Sequence, residues 1–177
     1  KMFFNKENAM VSPSTSPKTC NTPNCRGLHE PVERMAMAAS ICESRGAQFT
    51  KVRRQILGLL WDSGRPTGAY ELIEALKENG TRQVAPTTVY RALEFLISEG
   101  LVSKIESRNA YVPCAHPERQ RSSMFFICNA CGASAELEYQ PLQCSISEVA
   151  AQIGFHTSRR VIEVEGTCTR CNEAGEA

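Results

Sequence analysis

Pro86-Thr87-Thr88-Val89-Tyr90-Arg91-Ala92-Leu93-Glu94-Phe95-Leu96-Ile97-Ser98-Glu99-Gly100 runs directly into Leu101-Val102-Ser103-Lys104-Ile105. In the first part Val89, Ala92, Leu93, Leu96 and Ile97 keep the i, i+3, i+4, i+7, i+8 spacing of one helix face. Pro86 suits the first helical turn, where its missing N–H costs no intrahelical bond. Gly100 is placed just past the last turn, where a left-handed residue ends helices. Beyond it the period changes. Leu101–Ile105 and Ala110-Tyr111-Val112 predict two short strands joined by a polar turn around Ser107-Arg108-Asn109.

Working upstream, three more helices are expected. Val32, Met35, Ala39 and Cys42 recur at helical spacing before Gly46. Thr50 is expected to N-cap a second helix carrying Val52, Ile56, Leu59 and Leu60, which stops near Gly64. Thr67 is expected to cap a third, with Ala69, Leu72, Ile73 and Leu76 as its stripe and Gly80 at its end. Three helices, a fourth able to enter a groove, then a hairpin make a winged helix-turn-helix. Residues 1–31, with Pro13, Pro17, Pro23 and Pro31 among serines and threonines and no apolar period, read as a flexible arm.

Downstream the pattern is different. Met124–Cys128 and Ala133–Glu138 read as strands around a Cys-rich turn. Pro141 opens a helix with Leu142, Ile146, Val149, Ala150 and Ile153 inward, and His156–Val164 reads as a further strand. The expected fold class is α+β: an N-terminal winged helix over 32–108 and a C-terminal α/β dimerisation domain over 109–177.

Cys128-x2-Cys131 and Cys168-x2-Cys171 carry the strongest chemical signal. A two-residue gap lets both sulfurs of a pair face one ion while the turn's amides donate to them. Two pairs complete a tetrahedral S4 site that suits structural zinc and leaves no open position for catalysis. The competing readings are local disulfides, unliganded thiols or rubredoxin-like iron. Cys114, His116 and Glu136 form a second candidate set whose mixed S/N/O ligation suits a weaker, exchangeable zinc. The plainer alternative is a buried thiol, a surface His and a solvated Glu. Cys20, Cys25 and His29 lie in the arm; Cys42 and Cys144 sit on apolar helix faces and read as core, and His156 as a structural strand residue.

The fourth helix also has a usable outer face. Thr87, Tyr90, Arg91 and Glu94 lie opposite its apolar stripe near the N-terminus, with Thr88 beside them. Arg91 can donate bidentately to guanine, while Thr and Tyr can reach phosphate or a thymine methyl. A winged helix that binds protein would carry a merely solvated face there. The charge balance permits either. Lys and Arg exceed Asp and Glu by two over 32–108 and fall short by three over 109–177.

Composition narrows the classes further. An apolar fraction of 42% and a charged fraction of 22% are ordinary globular values. No apolar run approaches the roughly 18 residues of a membrane span, and a cytoplasmic location is expected. In that compartment nine cysteines favour thiols or metal ligands, and the odd count excludes full intramolecular pairing. No nucleophile–base pair or phosphate loop suggests an enzyme.

Pro86–Leu93, Phe126-Ile127-Cys128-Asn129-Ala130-Cys131-Gly132 and Cys168-Thr169-Arg170-Cys171 together resemble the ferric uptake regulator (Fur) family, and within it the zinc uptake regulator (Zur) branch. The resemblance spans about residues 33–172. It implies a zinc-responsive transcriptional regulator, a repressor of zinc-uptake genes, that binds palindromic double-stranded operator DNA as a zinc-loaded homodimer. It also implies that Tyr70 and Arg91 contact bases, and that Glu74 and Lys77 pair between two dimers on one operator. Cys114 and Glu136 match regulatory zinc ligands. Ser103 and Arg121 depart from the pattern, standing where the branch commonly has His, and Arg159 stands near another such position. The regulatory site is therefore expected to be rebuilt with His116, completed by water or the arm. A sister sensor of iron, manganese or peroxide is the alternative, against which the Cys114 thiolate argues.

Overall fold

A computed structural model describes residues 31–79, 84–114, 117 and 123–175. The arm residues 1–30, with Cys20, Cys25 and His29, lie outside the described residues, as do Gly80, His116 and Arg121.

The chain starts with α1 (Pro31–Ser44), α2 (Lys51–Ser63), β1 (Thr67–Gly68), α3 (Ala69–Glu78) and α4 (Pro86–Ser98). The wing follows, built from β2 (Val102–Ile105) and β3 (Ala110–Pro113). One core joins them. Ile56, Leu57 and Leu60 of α2, Leu72 and Leu76 of α3, and Val89, Leu93 and Leu96 of α4 are essentially inaccessible. Each such side chain contributes roughly 1.5–3 kcal/mol through removal from water. The stripes of α3 and α4 are those the periodicity indicates. In α1 Cys42 is buried as the period indicates, together with Ala38, while Met35 and Ala39 are half-buried and Val32 is exposed.

Local chemistry explains the joints. Gly64 ends α2 at φ 62°, a left-handed conformation that glycine adopts without a Cβ penalty. Thr50 occupies the N-cap position of α2 but makes no side-chain cap bond. Thr67 does not cap α3. It is buried in β1, where its hydroxyl donates to Ser63 Oγ and the Arg65 carbonyl. Gly68 is the N-cap, and Glu71 reaches back to accept its N–H at 3.2 Å.

β1, β3 and β2 form one antiparallel sheet in that order. The division expected at 108/109 thus falls inside the wing hairpin, since β3 pairs on both edges within the first sheet and carries it on to Pro113. The second sheet has the order β5-β4-β6, from β4 (Ser123–Cys128), β5 (Ser134–Glu138) and β6 (Ile162–Gly166). β4 is central, antiparallel to β5 and parallel to β6. Between β5 and β6 runs α5 (Gln140–Gln152), and α6 (Thr169–Gly175) closes the described chain.

Three expectations for this half need correction. The last strand covers Ile162–Gly166 and not His156–Val164, because Arg159 and Arg160 turn their side chains onto Glu106, Gln143 and Ser147 in an irregular stretch. His156 is therefore exposed and outside any strand. The α5 stripe is not inward in the single chain. Gln143 is its one buried residue, while Val149 is 57% and Ile153 73% exposed, and Cys144 is exposed as well.

Candidate metal centre and nucleic-acid interface

The β4–β5 turn is shaped around sulfur. The Cys128 N–H donates to the Ala133 carbonyl at 2.8 Å, and the Gly132 N–H to the Cys128 carbonyl at 2.9 Å. Gly132 sits at φ 71°, which lets the chain reverse within two residues of Cys131. The second pair lies where β6 runs into α6. There the Cys171 and Asn172 amides bond the Cys168 carbonyl at 3.0 and 2.9 Å. The parallel β4–β6 register brings Cys128 opposite Gly166, and the Asn129 N–H donates to the Gly166 carbonyl.

These elements converge on one point. The Sγ atoms of Cys128, Cys131, Cys168 and Cys171 all lie within 4.8 Å of one another. Cys131 and Cys168 sulfurs are 3.8 Å apart. A tetrahedral site with bonds of about 2.3 Å separates its sulfurs by roughly 3.8 Å, so the residues fit a zinc ion. The electrostatics agree. The Cys168 N–H donates to Cys128 Sγ at 3.3 Å, and with the Cys131 and Ala130 amides it brings that thiol down to about 6. The Ala133 amide lowers Cys131, whose sulfur also accepts from Arg170 Nη2 at 3.8 Å. Cys171, hydrogen-bonded by the Cys168 and Cys131 sulfurs, is pushed up to about 12 and holds its proton far more tightly than Cys128. Amides stabilise the first thiolates, and a dication would displace the remaining proton.

The proposed regulatory residues are partly visible. Cys114 follows β3, anchored by its N–H to the Leu101 carbonyl at 2.9 Å, and its Sγ lies 3.1 Å from Ser103 Oγ. Positions 103 and 114 are therefore in direct contact. Glu136 lies on β5 opposite Phe125, and His116 falls outside the described residues.

On the winged helix, Thr87, Thr88, Tyr90, Arg91 and Glu94 are all exposed on α4 while Val89, Ala92 and Leu93 are buried. Tyr70, in the first turn of α3, is 76% exposed. Glu74 and Lys77 are exposed too and bond each other at 2.7 Å. Sequence reasoning overlooked Arg170 and Glu163. The signal for Arg170 was a cation inside the Cys-x-Arg-Cys turn; for Glu163 no one-dimensional signal exists.

Fold and site define a class: a winged-helix protein joined to an α+β domain stapled by a four-cysteine metal centre. Residues 44–165 match the ferric uptake regulator family, and the chain belongs to that family. The zinc uptake regulation protein of Escherichia coli (strain K12) is 37% identical over 142 residues, covering 80% of this chain and 82% of that protein. That of Mycobacterium tuberculosis (strain ATCC 25618 / H37Rv) is 30% identical over 129 residues, covering 71% and 95%. Among solved structures, a zinc uptake regulator complexed with zinc and DNA superimposes with a TM-score of 0.80 at 35% identity, covering 84% of this chain and 99% of that one. Holo XcZur gives 0.74 at 37%, covering 81% and 99%.

Proposed function

We propose that this protein is a zinc-responsive transcription regulator that binds double-stranded operator DNA as a homodimer and represses zinc-uptake genes. The carrying observation is α4: one side is locked in the core, and the other presents Thr87, Thr88, Tyr90 and Arg91 from the first two helical turns. That is the part of a recognition helix that meets base edges and phosphates. Similarity to the zinc uptake regulators supports the metal and the ligand alike. The family is one of transcription regulators, and we infer no enzymatic activity. Among the described residues no helix is long and apolar enough to cross a membrane, and we place the protein in the cytoplasm.

Cys128, Cys131, Cys168 and Cys171 hold the structural zinc, which when bound supplies the cross-link the small second domain needs. Cys114, His116 and Glu136 form the regulatory set, with Ser103 beside Cys114 where a fourth donor is wanted. Their ligation favours the domain arrangement in which two α4 helices reach successive major grooves of a palindrome. Tyr70 joins Arg91 in contacting bases. Glu74 and Lys77, paired within one helix here, exchange partners across two dimers that share an operator.

Cys114→Ser tests the regulatory assignment. It should leave the fold, the dimer and one tightly held zinc per chain intact, yet abolish zinc-stimulated binding in a mobility-shift assay. Retention of wild-type zinc stoichiometry together with wild-type zinc response would remove Cys114 from the site. A protein that binds no duplex DNA at any zinc concentration would sink the function itself.

A further inference from the structure

The turn between β2 and β3 is tied to the second domain in an unusual way. A free hairpin tip leaves its amides to solvent. Here the Glu163 carboxylate on β6 accepts the Glu106 N–H at 2.7 Å on one oxygen and the Ser107 N–H at 3.0 Å on the other. The flanks are held as well. Glu106 pairs with Arg159 of the second domain and with Lys104 at 2.7 Å, and Arg108 reaches Asn129 and, at 3.6 Å, Glu165. Beneath these bonds Ile105 and Val112 of the wing pack on Phe125 and Ile127 of β4.

We propose that the wing of this protein is an interdomain latch, and that Glu163 is the positioning residue that sets the angle of α4 against the dimerisation domain. The proposal rests on the zinc-responsive function given above and adds a residue to it. An apolar patch alone is non-directional and lets two surfaces slide. Two charge-assisted bonds to consecutive amides are directional and fix the wing tip in register with β6. The opposite end of the same hairpin carries Cys114 and Ser103. Glu136, Phe125 and Glu163 also form one cross-strand row of the second sheet, with Phe125 opposite both carboxylates. In strands such a row shares one face, and Phe125 turns that face toward the wing. Ligation at Cys114 and Glu136 and the latch at Glu163 thus bear on one contact between hairpin and sheet. Arg108 and the tip amides, which could otherwise meet a phosphate backbone, are committed inward.

The test uses the full chain with both zinc sites filled. Amide hydrogen exchange reports Glu106 and Ser107 directly, and fluorescence anisotropy reports operator affinity at saturating zinc. Glu163→Ala should release both amides to fast exchange, leave α2–α4 and the four-cysteine turns protected, and weaken operator binding on the order of tenfold. Glu163→Gln keeps one carbonyl acceptor without the charge and should fall between wild type and Glu163→Ala on both readouts; it also serves if Glu163→Ala folds poorly. A purely structural residue would lower protection throughout and show no such graded order. If the two amides already exchange in wild type at the rate of an unprotected chain, there is no latch. If they are released while zinc-saturated operator affinity holds, Glu163 does not position α4. Should wild type fail to bind operator DNA at all, the proposed function falls, while the exchange data still decide the latch.

Discussion

Arg91 and Glu71 show how differently two exposed charges act. Arg91 stands clear of the core near the start of α4 and is free to fork onto a guanine. Arg91→Ala should cost about 1–3 kcal/mol of operator binding and relax the preference at one base position per half-site, with zinc content unchanged. Competition against operators substituted position by position reads this out; an equal loss for every sequence would make Arg91 a phosphate contact. Glu71 works within the fold. Burial raises its carboxyl, but the Gly68 N–H and the Arg65 guanidinium outweigh that and hold it below the usual carboxylate value. Its contribution is therefore present above the unfolded-state value and is lost as pH falls through the lower folded-state one. Glu71→Ala should cost about 0.5–1 kcal/mol through the cap, with little from the half-exposed ion pair, and should blunt the acid limb of a denaturation curve as pH falls below the ordinary carboxylate value.

Elements differ in how far one dimension reveals them. α3 and α4 were legible because a closed core buries a full stripe of each: Leu72 and Leu76, then Val89, Leu93 and Leu96. β1 was invisible, since two residues carry no period. The start of β6 was misplaced because Val161 and Ile162 continue an apolar signal while Arg159 and Arg160 are spent on side-chain bonds. That the four cysteines converge was legible from spacing, unlike the Cys114 set, whose members come from a wing, a strand and a segment outside the described residues. The cysteine turns end β4 and follow β6, so the proposed zinc would tie these two strands of the second sheet together. Cys128→Ser should therefore act as a folding mutant, losing zinc, strand signal in circular dichroism and the dimer, while α1–α4 remain folded. A variant that stays fully folded and dimeric by sedimentation would refute the structural role.

At the scale of the molecule, the single chain leaves apolar surface uncovered on one domain. Val149 and Ile153 on α5, Phe155 after it, and Phe126 and Val164 in one row of the second sheet are all at least 40% exposed. Exposed patches of this kind mark association surfaces, and a second copy of the chain is the proposed cover. The sequence placed Leu142, Ile146, Val149, Ala150 and Ile153 inward, and the single chain does not bury them; an apolar period alone cannot distinguish a core stripe from a face that a second copy would cover. Ile153→Glu should convert the dimer to a monomer in sedimentation equilibrium, with zinc still held by the four cysteines. Operator affinity should fall steeply, because a monomer reads one half-site and loses the effective concentration of the second.

The parallel pairing of β4 with β6 carries a consequence for how the second domain comes together. β4 and β5 are joined by a tight turn and can pair early as a local hairpin. That hairpin offers two of four sulfurs. The other two arrive only after the 36 residues between the cysteine pairs have been looped back and β6 has docked. Until then the hairpin offers only two ligands, and the β4 edge that β6 will cover is unpaired. Metal capture and strand docking thus become a single late event, and the slow step of folding should be the one that available zinc accelerates.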